Sequence, residues 1–128
     1  VFNRYLVKGK PGFVEHHWPS LKDGMSWIKE AGGVPVIAHP ARYKLGSHLH
    51  FLLDEFADNG GDVIEVATGS HSKSDILKFQ ILANEYSFDA SRGSDFHCPL
   101  ESRCDVGFAP NLPDGVNPVW YSRLGLVL

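Results

Sequence analysis

The chain has 128 residues, 43% of them hydrophobic, with 12 Lys and Arg against 15 Asp and Glu and a formal charge of −3. That length supports one modest core in a single domain, residues 1–128, and the mildly acidic balance argues against an extended basic groove, leaving polyanions to local patches around Arg4, Lys8 and Lys10. No apolar run approaches the roughly 20 residues of a membrane span and no export-type signal is visible, so a cytoplasmic protein with free thiols at Cys98 and Cys104 is expected.

In chain order, Val1 to Leu6 reads as the end of a helix, which suggests that the chain is part of something larger. Ser20 and Asp23 resemble a capping box, and Leu21, Met25, Ile28 and Ala31 then follow helical spacing until Gly32-Gly33. Val34 to Ala38 is a short apolar run, expected as a buried parallel strand that delivers His39-Pro40 at its C-terminal end. Leu49, Leu52, Leu53 and Phe56 predict a second helix, stopped at Asn59-Gly60-Gly61. Val63 to Ala67 is the next strand, with Glu65 at its centre. Ser72 and Asp75 open a third helix whose apolar face is Ile76, Phe79, Leu82, Ala83 and Tyr86. A strand from about Ser87 to Ser91 leads into Gly93-Ser94-Asp95-Phe96-His97. The Pro- and Gly-rich remainder is expected as loop, with short extended pieces at Val106–Phe108 and Val119–Tyr121. Alternation of this kind is the pattern of consecutive βα units in an α/β fold with a parallel sheet.

Chemistry in such folds collects at the C-terminal ends of the strands. His39, Asp95 and His97 all fall there, and in extended backbone Asp95 and His97 point the same way. Their mixed oxygen and nitrogen donors suit a divalent cation, so a metal-dependent hydrolase is the first reading, with Asp95 and His97 as catalytic residues. Arg42, just past His39-Pro40, is placed for bidentate binding of phosphate. Glu65 is a candidate for orienting a ligand from behind, and His71, after Gly69-Ser70 at another strand end, for the substrate pocket. His48 and His50 diverge by about 200° on a helical wheel and are read as surface residues.

The segments Tyr5–Val14, Gly33–Tyr43, Gly61–Val66, Ala90–His97 and Leu112–Trp120, in that order, resemble the C-terminal half of the PHP (polymerase and histidinol phosphatase) phosphoesterases. The likeness is greatest to the stand-alone bacterial group that trims short RNAs from the 5′ end or dephosphorylates nucleoside 3′,5′-bisphosphates. The resemblance implies part of a distorted (β/α)7 barrel and a cluster of Mn, Fe, Zn or Mg ions, with His39, Asp95 and His97 as metal ligands. It also implies a nucleotide or short-RNA substrate, and places Lys10 in a basic Gly-Lys loop. The His-x-His pair that opens the family's metal site has no counterpart here, so this chain alone is expected to be inactive or very weak. A non-catalytic α/β fragment that self-associates as a homodimer through exposed strand edges is the alternative. An amidohydrolase-like enzyme is the weaker enzymatic one, because no lysine suited to carbamylation stands at a strand end.

Overall fold

The computed structural model describes residues 2–125. Its first helix, α1 (Phe2–Tyr5), is a single turn, and Val1, the first residue of the segment read as a helix end, lies outside the described residues. Helix α2 (Leu21–Glu30) starts at Ser20, whose hydroxyl accepts the Asp23 N–H at 3.1 Å, and buries Met25. Helix α3 (Leu49–Asp58) buries Leu49, Leu53 and Phe56, the positions that its 3- and 4-residue spacing predicts. Strand β1 (Val63–Thr68) is followed by helix α4 (Lys73–Glu85) and strand β2 (Asp89–Gly93). At α4 the capping box is complete: Ser72 and Asp75 each satisfy the other's backbone N–H.

β1 and β2 pair in parallel, with Val63 opposite Asp89 and a shift in register between Glu65 and Ala67. Val63, Ile64, Val66 and Ala67 are wholly buried, as a parallel strand covered on both faces requires. Helix α4 lays Phe79, Leu82 and Ala83 on the sheet, and Phe56 of α3 meets Phe88 edge to face at 5.7 Å. The Tyr86 hydroxyl donates to Asp54 at 2.6 Å and so ties the end of α4 to α3.

Three expectations need correction. Val34–Ala38 is not a full strand: it joins the sheet through one bridge, Ile37 to Ile64, with Ile37 N–H on the Val63 carbonyl at 3.1 Å and Glu65 N–H on the Ile37 carbonyl at 2.9 Å. Nor is it buried on both faces. Pro35 and Ile37 point inward while Val34 and Val36 are exposed, because Pro35 contributes no N–H and no described element covers the outer side. The second correction concerns Val119–Tyr121, which begins helix α5 (Val119–Leu124) and is not extended. Pro118 at its N-cap has the φ of −67° that its ring imposes, and Gly125 ends it at φ 62°. Pro118 itself bridges Ala90 on the free side of β2. Val106–Phe108 is loop, turning at Gly107.

The sheet thus runs in sequential order, Ile37 segment, β1, β2, Pro118 segment, all parallel, with two true strands at its centre and an open outer edge at Val34–Ala38. The described residues form an open layer and do not close into a barrel. At the N-terminal ends of the strands, Asp89 accepts from Asn117 and Ser122, and Arg123 pairs with Asp62, which fastens α5 to the bottom of the sheet. No described helix is long and apolar enough to cross a membrane.

The Ser72 hydroxyl, and then its backbone N–H, hold the Asp75 carboxyl below its usual value. A depressed carboxyl stabilises the fold above the unfolded pKa, about 4, and that contribution is lost as the pH falls through the lower folded value. Ser72→Ala should therefore cost about 1 kcal/mol at pH 7, and urea unfolding should show the gap to wild type narrowing below about pH 4.

Candidate active site

The site is assembled at the C-terminal ends of the strands, and its foundation is Glu65 in the middle of β1. One carboxylate oxygen, Oε2, accepts the backbone N–H of His39 at 2.5 Å. His39 sits at φ 34°, ψ 54°, a left-handed conformation uncommon outside glycine, and this charge-assisted bond holds it there. The other oxygen, Oε1, faces Gly93 at the end of β2, where an added Cβ would lie 2.6 Å away. Glu65 therefore touches both neighbouring segments of the sheet.

After His39 the chain makes a 3-10 turn, Pro40–Tyr43, that turns Arg42 toward the end of β2. Arg42 Nη1 donates to Asp95 Oδ2 at 2.7 Å. Asp95 is itself left-handed, at φ 53°, and its backbone carbonyl accepts from His97 Nδ1 at 2.8 Å. With Nδ1 carrying the proton, His97 presents the lone pair of Nε2 outward. Ser102 Oγ accepts the N–H of His97 at 2.7 Å and of Cys98 at 3.3 Å, and fixes the loop that carries them. That loop rests on the end of β1, where a Cβ on Gly69 would fall 2.3 Å from the Ser94 carbonyl oxygen and 2.5 Å from Cys104 Sγ. Both cysteines are free and half-buried.

A cavity of about 380 Å³ results, with Arg42, Ser70, Ser94, Asp95, His97 and Arg103 in its lining. Arg42, Asp95 and His97 come together in it. His39, expected to join Asp95 and His97, is not in that lining: its ring stands edge-on to Tyr43 at 5.6 Å, and its Nδ1 is buried without a hydrogen-bond partner. Glu65 contacts His39 through the backbone N–H and not through the ring. Tyr43 belongs to the same environment, since burial and then the Glu65 charge push its hydroxyl above the usual phenol value while Arg42 opposes them.

Two further expected residues also lie elsewhere. His71 is buried in the core, stacked on Phe79 at 5.3 Å, with Nδ1 on the Val66 carbonyl at 2.9 Å and Nε2 accepting the Ala41 N–H at 3.4 Å. Both ring nitrogens are engaged and it does not line the cavity. Lys10 is exposed on the loop after α1 and is not in the lining either. Ser70, Ser94, Ser102 and Arg103 were not singled out from sequence. Ser70 and Ser94 could have been, because each follows a glycine at a strand end.

Among the described residues no group of three or more His, Cys, Asp or Glu side chains converges to hold a metal ion. Asp95 Oδ2 is engaged by Arg42. The orphaned Nδ1 of His39 and the outward Nε2 of His97 are donors of the right kind, so the residues fit as part of a metal site and not as a complete one.

No family model matches the chain. Over 121 residues it is 50% identical to a 3′,5′-nucleoside bisphosphate phosphatase of Chromobacterium violaceum, 39% identical to a 5′-3′ exoribonuclease of Salmonella typhimurium and 37% identical to a 5′-3′ exoribonuclease of Haemophilus influenzae. Each match takes in 94% of this chain but 42%, 41% and 44% of those relatives, so the chain spans about two fifths of their length. A solved structure described as an amidohydrolase from Chromobacterium violaceum, with bound sulfate and no metal, superposes with a TM-score of 0.79 at 48% identity, over 94% of this chain and 42% of that one. The chain is thus homologous to parts of enzymes named for hydrolysing phosphoesters of nucleotides and RNA.

Gly69→Ala should lower stability by about 1–3 kcal/mol, since the obstacle is backbone, whereas Gly24→Ala in α2, with no atom within 4 Å of the added Cβ, should gain about 0.5–1 kcal/mol. Thermal melts of the two variants check the contrast. Glu65→Ala should free the His39 N–H, and amide hydrogen exchange at His39 should speed up well beyond that of the neighbouring Ile37.

Proposed function

We propose that this chain carries part of the active site of a metal-dependent phosphoesterase that hydrolyses a nucleotide bisphosphate or short RNA, and that it forms the C-terminal portion of a distorted PHP-type (β/α)7 barrel. The observation that carries this reading is the meeting of Arg42, Asp95 and His97 in one polar cavity at the C-terminal ends of parallel strands, in a chain half identical to a bisphosphate phosphatase.

A phosphoester resists attack because its oxygens repel an incoming nucleophile, so the protein must supply positive charge and hold the reacting groups in line. Arg42, oriented by Asp95, has further N–H groups for the oxygens of the substrate phosphate. His97, its Nδ1–H fixed on the Asp95 carbonyl, has the lone pair of Nε2 left to offer a metal ion. His39, Asp95 and His97 would contribute donors to divalent ions, Mn, Fe, Zn or Mg, whose other ligands come from outside this chain. Such ions, when bound, neutralise phosphate charge and acidify water. Glu65 keeps His39 in its left-handed conformation. Lys10, outside the cavity, would meet only a substrate long enough to leave it.

With an incomplete donor set, the isolated chain should show no or very weak hydrolysis. Incubated with Mn and adenosine 3′,5′-bisphosphate or a short RNA, it should release no phosphate or nucleotide above background; robust hydrolysis abolished by Asp95→Ala would overturn the claim of inactivity. In a chain extended to the length of its relatives, Asp95→Ala should lower turnover by about 10²- to 10⁴-fold.

The open sheet edge supports a second reading, in which the isolated chain associates with itself. Val34 and Val36 are each 39% exposed beside unpaired backbone. Sedimentation velocity should then show a dimer that Val36→Lys disperses, and a monomer at all concentrations would rule it out.

A further inference from the structure

Helix α4 is apolar on more than the side it lays on the sheet. Phe79, Leu82 and Ala83 are buried beneath it, yet Leu77 and Ile81, one turn apart on its outer side, are 57% and 50% exposed. A surface helix whose inner stripe is already satisfied has no need of a second one. Nor do the two side chains stand alone. Together with Leu49 of α3 and Leu82 they border a groove of about 510 Å³ between the two helices, larger than the 380 Å³ of the cavity at the strand ends. Contiguous apolar surface of this kind marks an interface, where scattered exposed leucines do not.

The charges of the groove identify its occupant. Lys78 and Glu85 both line it, and at seven residues, or two turns, they lie on one face of the helix about 10 Å apart along its axis. Neither is in an ion pair among the described residues. Asp75, one turn before Lys78, is taken by Ser72, and Nδ1 of His50, the other titratable side chain in the lining, is on the Tyr86 hydroxyl at 3.2 Å. A cation and an anion placed evenly about Ile81 and Leu82 match their own copy once that copy is turned end for end. In such a twofold contact residue i meets j and j meets i. We propose that α4 is a self-association face, on which two copies of this chain pack their α4 helices antiparallel about an axis at Ile81–Leu82. Lys78 then meets the partner's Glu85, Glu85 meets the partner's Lys78, and Leu77 sits in the partner's groove. The face shares no residue with the cavity at the strand ends or with the open edge at Val34–Ala38, so it stands independently of both readings above. One helix pair with its flanks falls at the small end of specific interfaces, below about 1,200 Å² in total, and the dimer is correspondingly concentration-dependent.

Sedimentation velocity over about a hundredfold range of concentration at low salt tests this. The wild type should pass from monomer to dimer. Ile81→Lys, at a half-exposed position, should keep the wild-type melting temperature and remain monomeric. Lys78→Glu alone sets carboxylate against carboxylate at both crossings and Glu85→Lys sets ammonium against ammonium, so each variant should dimerise at least about tenfold more weakly than wild type. Mixed in equal amounts, the two variants should recover wild-type affinity, because each crossing then joins a cation to an anion. A monomer at every concentration overturns the proposal. So does a dimer that Val36→Lys disperses and Ile81→Lys does not, which belongs to the sheet edge, and so does a dimer whose two charge variants fail to complement each other in the mixture.

Discussion

A single buried-side carboxylate organises this site. Glu65 stands mid-strand, where its neighbours Ile64 and Val66 are wholly buried and where an unpartnered charge would be costly. Its oxygens are accounted for on both sides: Oε2 by the His39 N–H at 2.5 Å, Oε1 by the space that only a glycine at position 93 leaves. The consequence is geometric. His39 is held in a left-handed turn, the chain reverses into Pro40–Tyr43, and Arg42 is brought across to Asp95 from 53 residues away in sequence. Remove the carboxylate and the two strand ends lose their common reference.

The rest of the site is built from backbone at close quarters. The loop after β2 can lie on the end of β1 because Gly69 has no Cβ to meet the Ser94 carbonyl, and Ser102 then gathers the amides of His97 and Cys98. Serine hydroxyls and glycine backbone make a polar floor, and arginines provide the charge. Such a surface suits phosphate oxygens better than a neutral organic group. The hydrophobic layer beneath, with α3 and α4 packed on the sheet, supplies the stiffness that a site on loops needs. His71 belongs to that layer: its ring lies on Phe79 and both nitrogens tie loops to β1.

Two donors remain unused, the buried Nδ1 of His39 and the Nε2 of His97. Val34–Ala38, one bridge wide and half exposed, is a parallel segment with one neighbour where a central strand has two. Among the described residues a sheet edge with exposed valines stands beside an incomplete donor set. The relatives, more than twice as long, have the length to continue it.

The helices were legible because their information is local. Ser20 and Ser72 with an aspartate three residues on, the spacing of Leu49, Leu53 and Phe56, and the glycines past the ends of α2 and α3 together specify α2, α3 and α4 without reference to anything distant. What sequence could not decide depended on partners far along the chain. Whether Val34–Ala38 is a strand is set by how many neighbours it has, and whether Val119–Leu124 is a helix by the anchoring of Ser122 and Arg123 on Asp89 and Asp62. His71 reads as a mouth residue until the fold shows its ring under Phe79, and Arg103 reads as one more surface cation until its loop comes to rest on Ser70. Residue types and local periodicity determined the elements and the chemistry at the strand ends. Only the tertiary structure decided which side chains share a cavity, because that depends on Glu65 and two glycines allowing distant backbone segments to touch.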